Sequence, residues 1–167
     1  MRRTPLPVNA RQYGFSMLEI LITLVIIATA LLGTAGLQVY AMRMGKSGEF
    51  RTQAVFLASD IAERMEANKA AAVAGNYAVA AASAPSAAGT DCSAGSCDTS
   101  ALASWDISEW ENAIIAVGLP QASWQITRTT AGNPSTYSIV INWTDRSSTK
   151  TGSGENFSYT VTRTVSN

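Results

Sequence analysis

Glu19 is the residue whose setting in the sequence is chemically most unusual. It is the only charged side chain in the apolar segment of residues 15–37. Burying an ionised carboxylate in an apolar environment is expensive unless a positive charge or hydrogen-bond donors accompany it. Because Glu19 lies near the start of the segment, it could instead reach the lipid headgroups of a membrane. We therefore expect Glu19 to contact the headgroups or to have a functional role within the apolar environment. Both can be true at different stages.

Cys92 and Cys97 are the only cysteines, and the chain has no histidine. The missing histidine excludes histidine-based catalytic triads and histidine metal sites. One cysteine pair is too few for a structural zinc site, which needs four ligands. A redox-active dithiol normally has fewer intervening residues than this pair has. In an exported chain the pair predicts a structural disulfide that closes a small loop.

Three acidic residues, Asp106, Glu109 and Glu111, lie close together in the sequence. Such a group could serve general acid–base catalysis or bind a cation, but it is more often a solvated helix face. No glycine-rich or ligand-bearing loop accompanies it, and no serine has a visible base partner. The formal net charge is zero, and the basic residues of the C-terminal half are few and scattered, which argues against nucleic-acid binding. We therefore predict no enzymatic activity, no cofactor and no metal.

The segment that must position Glu19 is long enough to cross a membrane. As a helix, residues 15–37 would span about 34 Å, and the hydrocarbon core of a bilayer is about 30 Å thick. A secretory signal peptide would explain the basic start and the small residues Ala28 and Ala30, but the apolar run continues beyond them. An ordinary membrane anchor leaves Glu19 unexplained. A third interpretation accounts for both Glu19 and Gly14.

Residues 14–19, which read GFSMLE, resemble the cleavage motif of type IV prepilins. The resemblance covers the leader at residues 1–14, the cut site, Glu19 and the whole apolar segment. It implies that a prepilin peptidase cuts after Gly14 and methylates the new N-terminal residue, Phe15. It also implies that the freed amine of Phe15 neutralises Glu19 of a neighbouring subunit in the filament. The protein is then expected in the bacterial inner membrane, with a periplasmic head, before it joins an extracellular pilus.

The pattern after the apolar segment predicts that the helix continues over residues 38–70. This stretch contains no proline. Residues 71–167 are predicted to form a globular head. Its first part, the alanine-rich residues 70–90, is predicted to be a frayed helix end followed by a loop. Apolar residues of the helix recur every three or four positions as one stripe, namely Phe50, Ala54, Leu57, Ile61 and Met65.

The head is predicted to contain one shorter helix and three strands. The helix covers about residues 99–117, because Gly118 and Pro120 form a stop signal. Alternating apolar residues predict strands around residues 124–128, 137–143 and 157–165. A long helix laid on a small antiparallel sheet gives an α+β class, which is the architecture of the type IV pilin fold. The predicted buried side of the shorter helix comprises Leu102, Trp105, Trp110, Ile114 and Val117.

Two further segments resemble the PilV-type minor pilins. They are residues 31–38, LLGTAGLQ, and residues 58–69, ASDIAERMEANK, in which Glu63 stands where the family often has aspartate. The resemblance implies a minor pilin that helps to initiate or prime pilus assembly and supports adhesion and twitching motility. Its partners would be other minor pilins and the major pilin, contacted through the N-terminal helices, and the inner-membrane assembly platform.

Two alternative subunit types stay open. A type II secretion pseudopilin shares the leader and the long helix, although strong calcium-site carboxylates of the kind common in the major pseudopilin are not apparent here. A major pilin is the other alternative. Major pilins more often carry a disulfide that encloses a long C-terminal loop, whereas Cys92 and Cys97 form a central, tight pair.

Overall fold

The computed structural model describes residues 14–87, 89–145 and 154–167. Most of the predicted leader, residues 1–14, lies outside these residues, as does much of the polar stretch between the last two predicted strands. The chain divides into two compact units, Met1–Met42 and Arg43–Asn167. The first helix, α1, spans Met17–Ala67 and so contributes to both units, which are described in turn.

The first unit contains the apolar part of α1. Every described side chain up to Met42 is exposed. α1 is the one helix in the described parts of the chain that is long and apolar enough to cross a membrane, judged by length and composition, with a mean hydropathy of 2.4 over its most apolar window. The predicted helix over residues 15–37 is confirmed, apart from its first two residues.

The second unit begins with the amphipathic part of α1, and the predicted apolar stripe is confirmed. All five of its residues are buried, and Ala58 and Ala62 join them. A short helix, α2 (Lys69–Ala74), follows and ends at Gly75, whose φ of 103° is a left-handed conformation that favours glycine. An added Cβ at Gly75 would lie 2.7 Å from the guanidinium of Arg128, so a side chain there would also require the end of the arginine side chain to move.

The second long helix of this unit, α3, spans Thr99–Val117 as predicted. Asp98 caps its start by accepting hydrogen bonds from the backbone N–H groups of Ser100 and Ala101, and Gly118 ends it with a φ of 73°. The predicted buried side was only partly right. Trp110 and Ile114 are fully buried, whereas Leu102, Trp105 and Val117 are half-buried.

Four antiparallel strands form one sheet in the order β1-β2-β3-β4. They are β1 (Val79–Ala82), β2 (Ser123–Thr130), β3 (Ser135–Asp145) and β4 (Glu155–Val165). The three predicted strands are confirmed. The predicted helix end in residues 70–90 corresponds to α2, but the prediction that only a loop follows it was wrong, because β1 lies in this stretch and pairs with β2.

The core of the second unit lies between the helices and one face of this sheet. Alternate residues of β3 are buried along its whole length, and Ile139 stands opposite Ile126 on one side and Val161 on the other. The indole of Trp110 on α3 donates to the carbonyl of Leu57 on α1 at 2.7 Å. The predicted α+β class, a long helix with a small antiparallel sheet, is confirmed.

Candidate functional site

The predicted cleavage site lies directly before α1. Gly14 and Phe15 are exposed and precede the first helical residue, and Glu19 occupies the first turn. Ser16 caps the start of the helix. Its side chain accepts a hydrogen bond from the backbone N–H of Leu18 at 3.3 Å, and its carbonyl accepts one from the backbone N–H of Glu19 at 3.1 Å. The site thus joins an accessible peptide bond to a helix that begins within three residues of it.

The hydroxyl groups of the apolar helix are satisfied inside the helix. Thr23, Thr29 and Thr34 each donate to the backbone carbonyl three residues earlier, at 2.8, 2.9 and 2.9 Å. Such back-bonding makes a threonine compatible with an apolar environment. Glu19 differs, since no hydrogen bond or ion pair to its carboxylate is found among the residues that the structure describes. Within the described residues, Glu19 is therefore the polar group of this segment that the helix itself does not satisfy.

The apolar side chains of the same segment are also exposed. Phe15 is 83% exposed, Met17 85% and Leu32 74%. A continuous apolar surface of this size requires lipid or other apolar helices around it. The segment can therefore do two things chemically: it can enter a bilayer, and it can pack against equivalent helices that offer a positive group to Glu19.

Cys92 and Cys97 are joined by a disulfide with their Cα atoms 5.7 Å apart. The bridge closes a loop of sequence separation 5 on the exposed approach to α3. Asp91 accepts a hydrogen bond from the backbone N–H of Ser93 at 2.8 Å. The Ser93 side chain, and then this N–H, lower the pKa of the Asp91 carboxyl group. The disulfide constrains this short loop locally, and neither cysteine is a free thiol.

The expectation that Asp106, Glu109 and Glu111 form a solvated face was wrong for two of the three. Glu109 is exposed, but Asp106 is only 8% exposed and Glu111 is fully buried. α3 turns these two carboxylates towards the core because each meets donors there. Burial of a carboxylate is tolerated where hydrogen bonds replace its hydration.

Asp106 is held by two residues from the preceding elements. Arg64 on α1 donates to its Oδ1 at 3.2 Å, and the hydroxyl of Tyr77 donates to its Oδ2 at 2.5 Å. Arg64 also pairs with Asp60 one turn earlier on α1, at 3.1 Å. Asn68, at the end of the same helix face, donates to the carbonyl of Thr99 at 2.8 Å. This face of α1 is therefore bonded to α3 through polar side chains.

Burial, hydrogen bonds and charges in this network shift two pKa values. Burial, and then the hydrogen bond to Asp106, raise the pKa of Tyr77 well above its ordinary value. Burial alone would lower the pKa of Arg64, but its hydrogen bonds and charge interactions with Asp60 and Asp106 outweigh that effect and raise it. Both groups are thus stabilised in their usual forms, Tyr77 neutral and Arg64 charged. Such a network holds elements together and is not poised to transfer protons at neutral pH.

Glu111 is satisfied on both oxygens. The indole of Trp124 on β2 donates to Oε1 at 2.9 Å, and the backbone N–H of Ser86 donates to Oε2 at 2.6 Å. Within residues 14–87, 89–145 and 154–167, no group of three or more histidine, cysteine or acidic side chains is placed to hold a metal ion. The buried carboxylates therefore serve the packing of α3.

Arg128 has a role that sequence reasoning missed. The alternating pattern predicted it as a strand residue, and it also bonds to the end of α2, donating to the carbonyls of Val73 and Ala74 and to the hydroxyl of Ser135. A cation at a helix C-terminus satisfies carbonyls that have no partner in the helix. No local signal predicts this contact, because α2 and β2 lie far apart in the sequence.

Comparison with known families matches two adjacent parts of the chain. A family model described as type IV pilin Tt1218 matches residues 36–108, and a model of the prokaryotic N-terminal methylation motif matches residues 9–35. The second match contains Gly14, Phe15 and Glu19. No curated protein and no solved structure matches the chain at a significant level.

Proposed function

Because the chain is a type IV pilin-like protein, with the α+β fold of that family, we propose that it is a minor pilin that helps to initiate pilus assembly. Pilins are structural subunits and not enzymes. The methylation motif implies processing by a prepilin peptidase and assembly with other pilins. In the proposed processing, the peptidase cuts after Gly14 and methylates Phe15.

The observation that carries the proposal is the isolation of Glu19 on an otherwise satisfied apolar helix. The threonine hydroxyls of that helix bond to its own carbonyls, so a bundle of such helices leaves the carboxylate of Glu19 as its unsatisfied polar group. Cleavage after Gly14 creates an amine at Phe15 of every subunit. Pairing this amine with Glu19 of a neighbouring subunit would neutralise both charges, and the ion pair would favour one axial register of the two helices.

Two features of the second unit favour a minor pilin over a major one. The segment at residues 58–69 resembles the PilV-type minor pilins, and its polar residues Arg64 and Asn68 bond to α3 and to the residue that starts it. The disulfide closes a short loop before α3, whereas a major pilin more often encloses a long C-terminal loop. The proposed partners are other minor pilins, the major pilin and the inner-membrane assembly platform.

The apolar helix and the methylation motif fit an inner-membrane anchor that later enters a pilus. We place the second unit, Arg43–Asn167, in the periplasm before assembly and outside the cell afterwards. A disulfide in this unit agrees with an oxidising compartment. In this position the subunit would support surface attachment and twitching motility.

The first experiment is mass spectrometry of the mature N-terminus in membrane and sheared-pilus fractions. The expected result is a chain that starts at Phe15 and carries one added methyl group, present in both fractions. A chain that starts near Leu31 would mean ordinary signal-peptide cleavage, with loss of Glu19, and would contradict the proposal.

Deletion of the gene separates a minor pilin from the two alternatives. A priming subunit predicts fewer pili, with the major pilin still present in the membrane. Complete loss of the filament protein itself would indicate a major pilin. Unchanged pili together with impaired protein secretion would indicate a pseudopilin.

A further inference from the structure

Phe56 is an apolar side chain of the second unit that its own chain leaves uncovered. It lies in the amphipathic part of α1, between the buried residues Ala54 and Leu57, yet 70% of its surface is exposed. Among the described residues of the second unit, no other large apolar side chain is more than 49% exposed. Aromatic side chains of this kind are frequent anchors of protein contacts, so Phe56 indicates a partner for its face of α1.

A groove of about 250 Å³ lies on another side of the same helix. α1 lines it with Met44, Gly48 and Arg51, and the sheet contributes Trp143 and Phe157. The two aromatic rings stack with their centroids 6.0 Å apart. An added Cβ at Gly48 would meet no atom within 4 Å, so the groove is open at this point.

The chemistry of the groove fits an aromatic side chain. A third ring beside Trp143 and Phe157 could adopt the stacked or edge-to-face geometry that aromatic groups favour. Arg51 is exposed, and within the described residues it has no ion-pair partner. Its guanidinium is therefore available to lie over the face of an incoming ring.

Phe56 does not point into the groove of its own chain. Successive residues of a helix are about 100° apart around its axis, so Gly48 lies about 80° and Arg51 about 140° from Phe56. A contact between Phe56 and the groove must therefore join two copies through different surfaces of each. Such a heterologous contact can repeat in one direction and build an open filament.

The contact is compatible with parallel helices. Phe56 follows Arg51 by five residues and Gly48 by eight, so the copy that offers Phe56 must be displaced along α1, towards its own N-terminus, by about 8–12 Å. The proposed pairing of Glu19 with the amine of Phe15 requires a displacement of four residues, or about 6 Å. The two displacements have the same direction and differ by no more than about one helical turn.

We propose that Phe56 of one copy of this chain inserts into the groove of a second copy, against Trp143, Phe157 and Arg51. The copy that contributes Phe56 also contributes Glu19, and the copy that contributes the groove contributes the amine of Phe15. The inference rests on the proposed function for the parallel arrangement of the helices, and it adds a contact between the second units. It requires only two neighbouring copies.

A photoreactive side chain at position 56 tests the contact in cells that assemble the filament. p-Benzoylphenylalanine in place of Phe56 keeps an aromatic ring there and, when irradiated, bonds to nearby C–H groups. One full-length copy carries this side chain and one tag, and a co-expressed copy carries a second tag. The expected product is a dimer with both tags, in which mass spectrometry finds the new bond at Met44, Trp143 or Phe157. The same side chain at Ile115, which is exposed on α3, should give at least tenfold less dimer.

Two glycine variants test whether the groove receives the ring. Gly48→Leu in the copy without the photoreactive side chain fills the groove and should lower the dimer yield at least tenfold. Gly45→Leu in the same copy is the matched control, because its added Cβ also meets no atom within 4 Å and Gly45 does not line the groove. Leucine favours a helix at both positions more than glycine does. The control yield should stay within twofold.

Placing Gly48→Leu in the photoreactive copy instead tests the heterologous geometry. This copy contributes position 56 and not its groove, so the yield should again stay within twofold. A loss as large as in the reciprocal experiment would overturn the proposed geometry. A dimer yield that Gly48→Leu does not lower in either copy would overturn the contact itself.

Cross-linking to another pilin without the two-tag dimer would also overturn the inference, since a different subunit would then cover Phe56. The mature N-terminus of the same sample distinguishes this failure from a failure of the proposed function. A chain that starts at methylated Phe15 but gives no specific dimer overturns the contact alone. A chain that starts near Leu31 contradicts the proposed function and, with it, the parallel arrangement on which the contact rests.

Discussion

The indole nitrogen of Trp124 donates a hydrogen bond to Oε1 of Glu111 across 2.9 Å, and both residues are buried to within 1% of their surface. Glu111 lies on α3 and Trp124 on β2, so the bond connects the helix to the sheet. The second oxygen of Glu111 accepts from the backbone of Ser86 at 2.6 Å. Glu111 is therefore a structural residue of the head.

Replacing Glu111 with alanine should strongly destabilise the head. The change leaves the indole N–H of Trp124 and the N–H of Ser86 unsatisfied, and each such group costs about 1–3 kcal/mol. We expect the free energy of unfolding to fall by about 3 kcal/mol or more, measured by urea unfolding of the mature chain in detergent. Glu109→Ala is the matched control on the same helix, where we expect a change within about 0.5 kcal/mol because Glu109 is exposed. Similar losses in the two variants would contradict the structural role of Glu111.

Arg64 and Asp106 should show measurable coupling in a double-mutant cycle. Removing Arg64 with Arg64→Met leaves the nearly buried Asp106 with less compensation for its charge. Because the arginine side chain is one-third exposed, we expect a coupling of about 1–2 kcal/mol with Asp106→Asn rather than the larger values of fully buried pairs.

The exposed pair of Lys46 and Glu49 provides the control for that cycle. Both of these side chains are about half exposed, and pairs of this kind contribute about 0.2–1 kcal/mol. A coupling between Arg64 and Asp106 that is no larger than the control would mean that solvent screens the pair fully.

Tyr77 should make the head sensitive to alkali. Burial raises the pKa of Tyr77 above its ordinary value of 10.0, so the unfolded chain loses this proton at a lower pH than the folded chain. The contribution to stability is complete below about pH 10 and is lost as the pH rises towards the folded-state pKa. Tyr77→Phe should therefore flatten the decline of unfolding free energy measured from about pH 9 to about pH 11.

Part of the alkaline decline should survive in that variant, because burial also raises the pKa of Tyr137. The double variant with Tyr137→Phe should flatten the curve further. An unchanged slope in Tyr77→Phe would show that the hydroxyl of Tyr77 is as accessible to ionisation in the folded chain as in the unfolded one.

Glu19→Val should separate membrane insertion from filament assembly. The apolar helix keeps its length and becomes more hydrophobic, so the protein should still be found in the membrane fraction at its normal level. Its amount in sheared pili should fall at least tenfold, because the amine of Phe15 on a neighbouring subunit loses its partner. Thr23→Val, one turn further along, is the control: the hydroxyl of Thr23 bonds within the helix, and incorporation should be normal. Normal incorporation of Glu19→Val would remove the ion pair from the proposed function.

Loss of the disulfide should weaken the head only modestly. The loop between Cys92 and Cys97 is short, and the chain-entropy relation gives about 2 kcal/mol for a loop of this size. We expect the variant with both cysteines changed to serine to remain folded, with an unfolding free energy lower by no more than this amount. A failure of this variant to fold would show that the disulfide stabilises parts of the head beyond the loop that it closes.

Much of the architecture could be predicted from local sequence patterns. The helical stripe from Phe50 to Met65, the bounds of α3 and three of the four strands all depend on residues within one or two turns, or on strict alternation along one strand. The cleavage motif is equally local, since Gly14, Phe15 and Glu19 lie within one short segment. Such features were accessible because the physical cause of each lies within a few residues of its effect.

The tertiary structure decided the features whose cause lies far along the chain. β1 consists of alanine and valine without an alternating pattern, and it is a strand because β2 pairs with it. Asp106 and Glu111 look like surface acids, yet Arg64, Tyr77 and Trp124 supply the donors that allow their burial. The sequence by itself determined the long apolar helix, its amphipathic continuation, α3 and three of the four strands. Only the packing decided which charges enter the core, because the cost of burying a carboxylate depends on partners that distant segments bring to it.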